Sequence, residues 1–196
     1  MDSLARTAAL QADVASWEST RPWEATRDEL VAGRHPGIRP GAARGSEVAS
    51  CNPDGSIIVK DEWFALGADT RRAVLYHEAG HGIGLVIDGG RIAEVAGLDS
   101  PLDVIDLPGA RGLGGNYDEV IAEGYAALWS DPAWFDRAPE IRSLVVKLAR
   151  EARLPVPPGV TAAHRRLGAE AAFYRGLVER YGRGLADEVI ELLEEI

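Results

Sequence analysis

Two histidines and a glutamate carry the most specific chemistry in this chain, because Tyr76-His77-Glu78-Ala79-Gly80-His81 is an H-E-x-x-H motif. On a helix, four residues advance the chain by about 400°, so His77 and His81 stand one above the other and can grip a single metal ion. Glu78 is rotated by roughly 100° from His77, out of that pair yet within reach of a water that the metal holds. Metal-assisted hydrolysis needs such an arrangement. The competing interpretation is a buried helix with two hydrogen-bonded core histidines.

The motif has meaning only on a helix, and the flanking residues predict one from Asp69 to Gly90. Asp69 and Thr70 offer N-cap oxygens, and Gly89-Gly90 offers a stop where φ can turn positive. Val74, His77, His81, Leu85 and Asp88 share one face; Leu75, Ala79, Gly82 and Val86 mark another. Gly80, Gly82 and Gly84 each cost about 1 kcal/mol in a helix interior relative to alanine, which predicts that another backbone packs close to them.

A catalytic zinc takes three protein ligands and keeps one position open, so two histidines leave one ligand to find. Asn116 is placed to cap a helix through Trp129 that carries Glu119 and Glu123, spaced i, i+4 on one face among Val120, Ile121, Ala122 and Ala126. Carboxylates in such company need partners. One can bind the metal while the other accepts the N–H of a ligating histidine. The alternative is a solvated acidic stripe on an amphipathic helix. Asp88, Asp99, Asp103, Asp106 and Asp118 are further acids that could supply the third ligand, ranked below Glu119.

Composition narrows the functional classes. The chain has 196 residues, 46% of them hydrophobic, which suits one globular domain with a sizeable core. A formal charge of −10 disfavours nucleic acid or an anionic membrane as a partner, since both require a basic face. The one cysteine, Cys51, excludes an internal disulfide and is expected to be a free thiol. No window approaches the roughly 20 apolar residues of a membrane span, and the N-terminus lacks the pattern of a secretory signal. The expected location is the cytoplasm, or outside the cell by a route that uses no N-terminal signal peptide.

Around the motif, the reading is a single domain, 1–196, in three parts. The first, 1–45, holds two helices, from Ser3 to about Glu18 and from Pro22 to Gly33, followed by an irregular loop in which His35 is solvated. The second, 46–153, is the core. There Asn52-Pro53-Asp54-Gly55 turns a β-hairpin between Glu47–Ser50 and Ser56–Lys60, whose apolar second strand is expected to pair with an extended peptide. Arg91 to Val95 reads as a short strand, Gly97 to Gly115 as a long loop, and Asp131-Pro132 and Ala138-Pro139 open two more helical segments. The third part, 154–196, is a helical tail without nameable chemistry; His164 in it is a surface residue.

His77-Glu78-Ala79-Gly80-His81 together with Glu119-Val120-Ile121-Ala122-Glu123-Gly124-Tyr125 resembles the gluzincin metallopeptidases, in particular the catalytic-domain type of anthrax toxin lethal factor. In that type a glutamate from an E-x-x-A-E helix completes the zinc site. The resemblance covers about residues 55 to 150. It implies Zn2+ bound by His77, His81 and Glu119, Glu78 as general base, Glu123 supporting the site, and an α+β zincin-like fold, mostly helical, with a small sheet flanking the H-E-x-x-H helix. The implied activity is hydrolysis of a peptide or protein substrate by a metal-activated water. Members of the type often carry a tyrosine seven residues before the ligand glutamate, where this chain has Gly112. Tyr117 is the nearest substitute as an oxyanion donor, and Tyr76 and Tyr125 are the other phenols near the motifs. Intracellular phage-type regulatory peptidases pair similar motifs, usually at a shorter interval than the 38 residues between His81 and Glu119. The remaining alternatives are a non-catalytic binding or regulatory protein that keeps the metal site structurally or has lost the metal, and an amidase acting on a non-peptide substrate.

Overall fold

The computed structural model describes residues 14, 16–35, 37–43, 47–110, 113 and 115–157, all within the compact unit Met1–Pro157. Most of the expected first helix, and the tail from 158 onward, lie outside the described residues.

Asn52-Pro53-Asp54-Gly55 folds as its composition predicts. The Gly55 N–H donates to the Asn52 carbonyl at 2.8 Å, and Gly55 adopts φ +84°, which only glycine reaches without strain. The Asp54 carboxylate closes the turn by accepting the Ser56 N–H and hydroxyl at 2.9 and 2.6 Å. The strands it joins, β2 (Ala49–Cys51) and β3 (Ile57–Val59), are antiparallel, with Ser50 opposite Ile58. A further strand, β1 (Ile38–Pro40), lies parallel to β3 with Ile38 beside Ile57, giving the order β1-β3-β2.

This corrects two expectations. The segment from Gly33 to Gly45 is not wholly irregular: β1 lies in it, too short to show a period and paired with a strand distant in sequence. Nor can β3 take up an extended peptide, because both its edges are occupied; β1 and β2 are the edge strands.

The helices also differ in their ends. Instead of one helix from Pro22 to Gly33, a 3₁₀ turn (Pro22–Glu24) precedes α1 (Arg27–Val31), which starts at a capping box between Thr26 and Glu29. The motif helix, α2 (Ala68–Gly84), begins after Gly67 without a side-chain cap, so Asp69 and Thr70 lie inside it. It stops at Gly84, not at Gly89-Gly90. Those two glycines open α3 (Gly89–Ala96), because the Asp88 carboxylate accepts the Arg91 N–H at 3.0 Å and starts a new helix. Gly97, at φ +71°, ends it with the Leu98 N–H on the Ala93 carbonyl. The expected strand Arg91 to Val95 is therefore helical: Ile92 and Val95, three residues apart, share a helical face rather than a strand face, and the segment is capped at both ends. Within the expected loop from Gly97 to Gly115, Pro101–Asp106 is a 3₁₀ turn capped by Ser100.

Asn116 caps α4 (Tyr117–Ser130) through the Glu119 N–H at 3.0 Å, as predicted. A 3₁₀ turn (Pro132–Arg137) and α5 (Pro139–Glu151) follow, each with its proline in the first turn. The whole is a mixed α and β fold, mainly helical, with a three-stranded sheet against α2.

The core centres on the pairing of α2 with α4. A Cβ on Gly80 would lie 2.6 Å from the Ala122 Cα and 2.9 Å from its carbonyl oxygen, so only glycine allows this approach. Behind it, buried Tyr76 stacks on Trp129 at 4.8 Å and meets Trp17, Trp23 and Tyr125 edge-on or tilted. Gly80→Ala gains helix propensity but meets backbone atoms that cannot rotate aside. Its expected effect is a loss of about 1–3 kcal/mol of stability, read from denaturant unfolding of parent and variant.

Candidate metal centre

With α2 and α4 in contact, the side chains selected by the sequence converge. The His77 and His81 rings stand 4.8 Å apart, centroid to centroid, on one face of α2, and their Nε2 atoms approach to 3.1 Å. From α4, Glu119 reaches both: its two carboxylate oxygens lie 3.5 Å from His77 Nε2 and 3.7 Å from His81 Nε2. Among the described residues this is the only group of three ligating side chains able to hold a metal ion.

The outer ring nitrogens are fixed by two more carboxylates of α4. Glu123 Oε1 lies 3.2 Å from His77 Nδ1, and Asp118 Oδ2 lies 2.8 Å from His81 Nδ1. A carboxylate there holds the proton on Nδ1 and leaves the Nε2 lone pair bare. The two Nε2 atoms 3.1 Å apart, facing a third anionic donor, form a set that is satisfied by a cation: a metal ion, or a proton shared between the rings. The donor set therefore fits a metal ion on its own chemistry. The hydrogen bond from His77 holds the Glu123 carboxyl below its ordinary range, against the opposing effect of burial. For His81, burial pulls the pKa down, but the Asp118 hydrogen bond and the charges of Asp118, Glu119 and Glu78 outweigh it, and the net shift is upward from 6.5.

Glu78 points elsewhere, as its position in the motif requires. Its side chain is buried, and its Oε2 accepts the backbone N–H of Cys51 from β2 at 2.7 Å, the one hydrogen bond it makes among the described residues. Burial raises the Glu78 pKa, opposed by the two histidines. The edge strand thus touches the site directly. The Cys51 thiol is free, as expected, and burial pushes its pKa up to about 12. A cavity of about 840 Å³ spans Glu78, the three donors, β2 and the start of α4, with Tyr117 on its wall.

Other candidates fall away. The Tyr76 hydroxyl is buried and donates to Glu18 at 2.6 Å; that of Tyr125 is buried and donates to the Pro155 carbonyl at 2.9 Å. Neither reaches the cavity. Asp88 is occupied as the cap of α3, and Asp118 as the partner of His81, so neither competes with Glu119 as the third ligand. Tyr117 places its hydroxyl beside Gly89, 3.5 Å from where a Cβ on that residue would stand. His35 is half-buried, with Nδ1 shielded and unpartnered, rather than solvated. His164 lies outside the described residues.

Two contributors escaped sequence reasoning. In the sequence Asp118 reads only as an alternative ligand, because a helical wheel does not show that α4 runs antiparallel to α2 with Asp118 against Gly84. The Cys51 N–H had no sequence signal, since any residue at that strand position supplies one.

Comparison with known proteins returned no match: no family model, curated protein or solved structure matched the chain.

Two predictions follow from this geometry. At limiting metal, His77→Ala, His81→Ala and Glu119→Ala each lose the ion in equilibrium dialysis. Asp118→Asn and Glu123→Gln retain it with affinity weakened by about 10 to 100-fold. In metal-free protein, proton NMR finds the His81 imidazole titrating above the ordinary histidine value, and Asp118→Asn lowers its pKa. The sign follows from linkage: with its folded pKa raised, His81 stabilises the metal-free fold below its unfolded pKa and loses that contribution as pH rises through the folded one.

Proposed function

We propose that this protein is a zinc-dependent peptidase with a zincin-like fold of gluzincin type. The observation that carries the reading is the spacing of the three donors. A tetrahedron with bonds of about 2.0–2.2 Å has edges of about 3.3–3.6 Å. The two Nε2 atoms lie 3.1 Å apart, one Glu119 oxygen lies 3.5 Å from His77 Nε2 and the other 3.7 Å from His81 Nε2, and one donor atom from each residue falls within 4.8 Å of the others, near enough to close around one ion. Three ligands facing an open cavity match a catalytic zinc site; structural zinc sites are closed by a fourth.

Bound there, zinc supplies a Lewis acid that acidifies water and polarises a carbonyl. The protein's own groups do the rest. Asp118 and Glu123 hold the imidazoles with Nε2 toward the cavity. Glu78, with Oε2 held by the Cys51 N–H, has Oε1 free to take the proton of the attacking water and return it to the leaving amine. Burial raises its proton affinity, which suits a base that must pass the proton on. Tyr117 lines the cavity, but its hydroxyl stands beside Gly89 and would have to turn away from it to serve as donor to the developing oxyanion.

The sheet supports a peptide as substrate. Asn52 donates to Ser56 and Lys60 to Val48, so the backbone groups of Ala49 and Cys51 between them face away from β3. The Cys51 N–H meets Glu78 on that side, which orients the free edge of β2 toward the reaction site. An extended peptide laid along this edge would present its carbonyls beside the metal donors.

Glu78→Gln tests the base assignment. It is expected to keep the metal in dialysis and the thermal transition of the parent while losing hydrolysis of a peptide library, because the amide accepts no proton. Full activity in that variant would remove the mechanism.

A further inference from the structure

A second cavity, of about 480 Å³, opens from His77 and Glu78 and runs along the seam between α2 and α4, away from Glu119. Its walls are Ala73 and Val74 from α2, Ala127 from α4, and Trp134 from the turn beyond. It extends back to Thr70, seven residues before His77, or about 10 Å along α2 at 1.5 Å per residue. At that end stands Asp131, and at the β2 side Glu47. Among the described residues the lining contains no lysine or arginine. Glu123, the other carboxylate beside Glu78, is engaged by His77. Among the described residues, Glu47 and Asp131 make no side-chain hydrogen bond or ion pair.

We propose that this groove is the specificity subsite for a lysine or arginine side chain adjoining the scissile bond, with Asp131 as the charge-reading residue. The inference rests on the peptidase reading and extends it to a substrate class. An apolar occupant would cover the small aliphatic walls but leave Asp131 and Glu47 facing an uncharged group as water is displaced. A basic side chain satisfies both parts: its methylene stem lies along Ala73, Val74 and Ala127, and its charged head reaches the carboxylates. Trp134 adds an aromatic face on which a cation is favoured. An acidic side chain is repelled by Glu47, Glu123 and Asp131 together. Because Asp131 is exposed, the discrimination is modest, of the size of a solvated ion pair.

The test uses short peptides identical except for lysine, norleucine or glutamate at one central position. Binding to the zinc-loaded full-length Glu78→Gln variant is measured by titration calorimetry, and cleavage by the parent is read by mass spectrometry. The lysine peptide is expected to bind about fivefold tighter than the norleucine peptide and the glutamate peptide weakest. Asp131→Asn is expected to erase the preference for lysine over norleucine, and Asp131→Lys to turn it toward glutamate. Equal affinities for lysine and norleucine, or a preference that survives Asp131→Asn, overturn the proposal. The two readings fail separately: cleavage without any lysine preference sinks the subsite and leaves the peptidase, whereas lysine-selective binding that depends on Asp131, without cleavage by the parent, sinks the peptidase and leaves the subsite.

Discussion

The close approach of Gly80 to Ala122 is the constraint from which the site is built. At that point α2 and α4 touch through backbone rather than through side chains, and a single added carbon would sit 2.6 Å from the opposing Cα. The short separation brings carboxylates on α4 within hydrogen-bonding reach of imidazoles on α2. The contact lies between His77 and His81 in sequence, so Glu119 is presented to both rings, while Asp118 and Glu123 fall on their outer nitrogens. Widening the seam by a methyl group would pull all four of these interactions apart at once.

One turn before Gly80, the same face of α2 explains how that contact is held. Tyr76, immediately before His77, is enclosed by Trp17, Trp23, Tyr125 and Trp129, and its hydroxyl donates to Glu18, which also accepts Arg72 at 2.7 Å. Large rings with few rotamers give a stiff backing, and the polar tip of Tyr76 is satisfied rather than stranded. A tyrosine in this environment serves rigidity, which is why its proximity to the motif in sequence does not make it part of the chemistry.

Electrostatics then divides the carboxylates by environment. Glu78 is buried with one backbone donor and holds its proton more tightly than a free glutamate; Glu123 sits against His77 and holds its proton less tightly. Identical side chains thus acquire different roles, one suited to moving a proton and the other to orienting a ring. The groove beside them continues the same logic, with carboxylates that meet no basic residue among its described walls.

What local sequence determined is what depends on short-range periodicity and capping. His77, Glu78 and His81 fall correctly on a helix because their spacing is helical, Glu119 and Glu123 follow because Asn116 fixes the phase of their helix, and the hairpin follows from Pro, Asp and Gly at their turn positions. Helix ends were less legible, since Asp88-Gly89-Gly90 carries both stop and start signals and the Asp88 cap decided between them. Tertiary structure alone decided the long-range pairings: β1 against β3, β2 as an edge strand facing Glu78, Asp118 on His81, and the burial of Tyr76 and Tyr125. Each of these depends on which surfaces meet, and a period along one segment describes a face without naming the face it will be packed against.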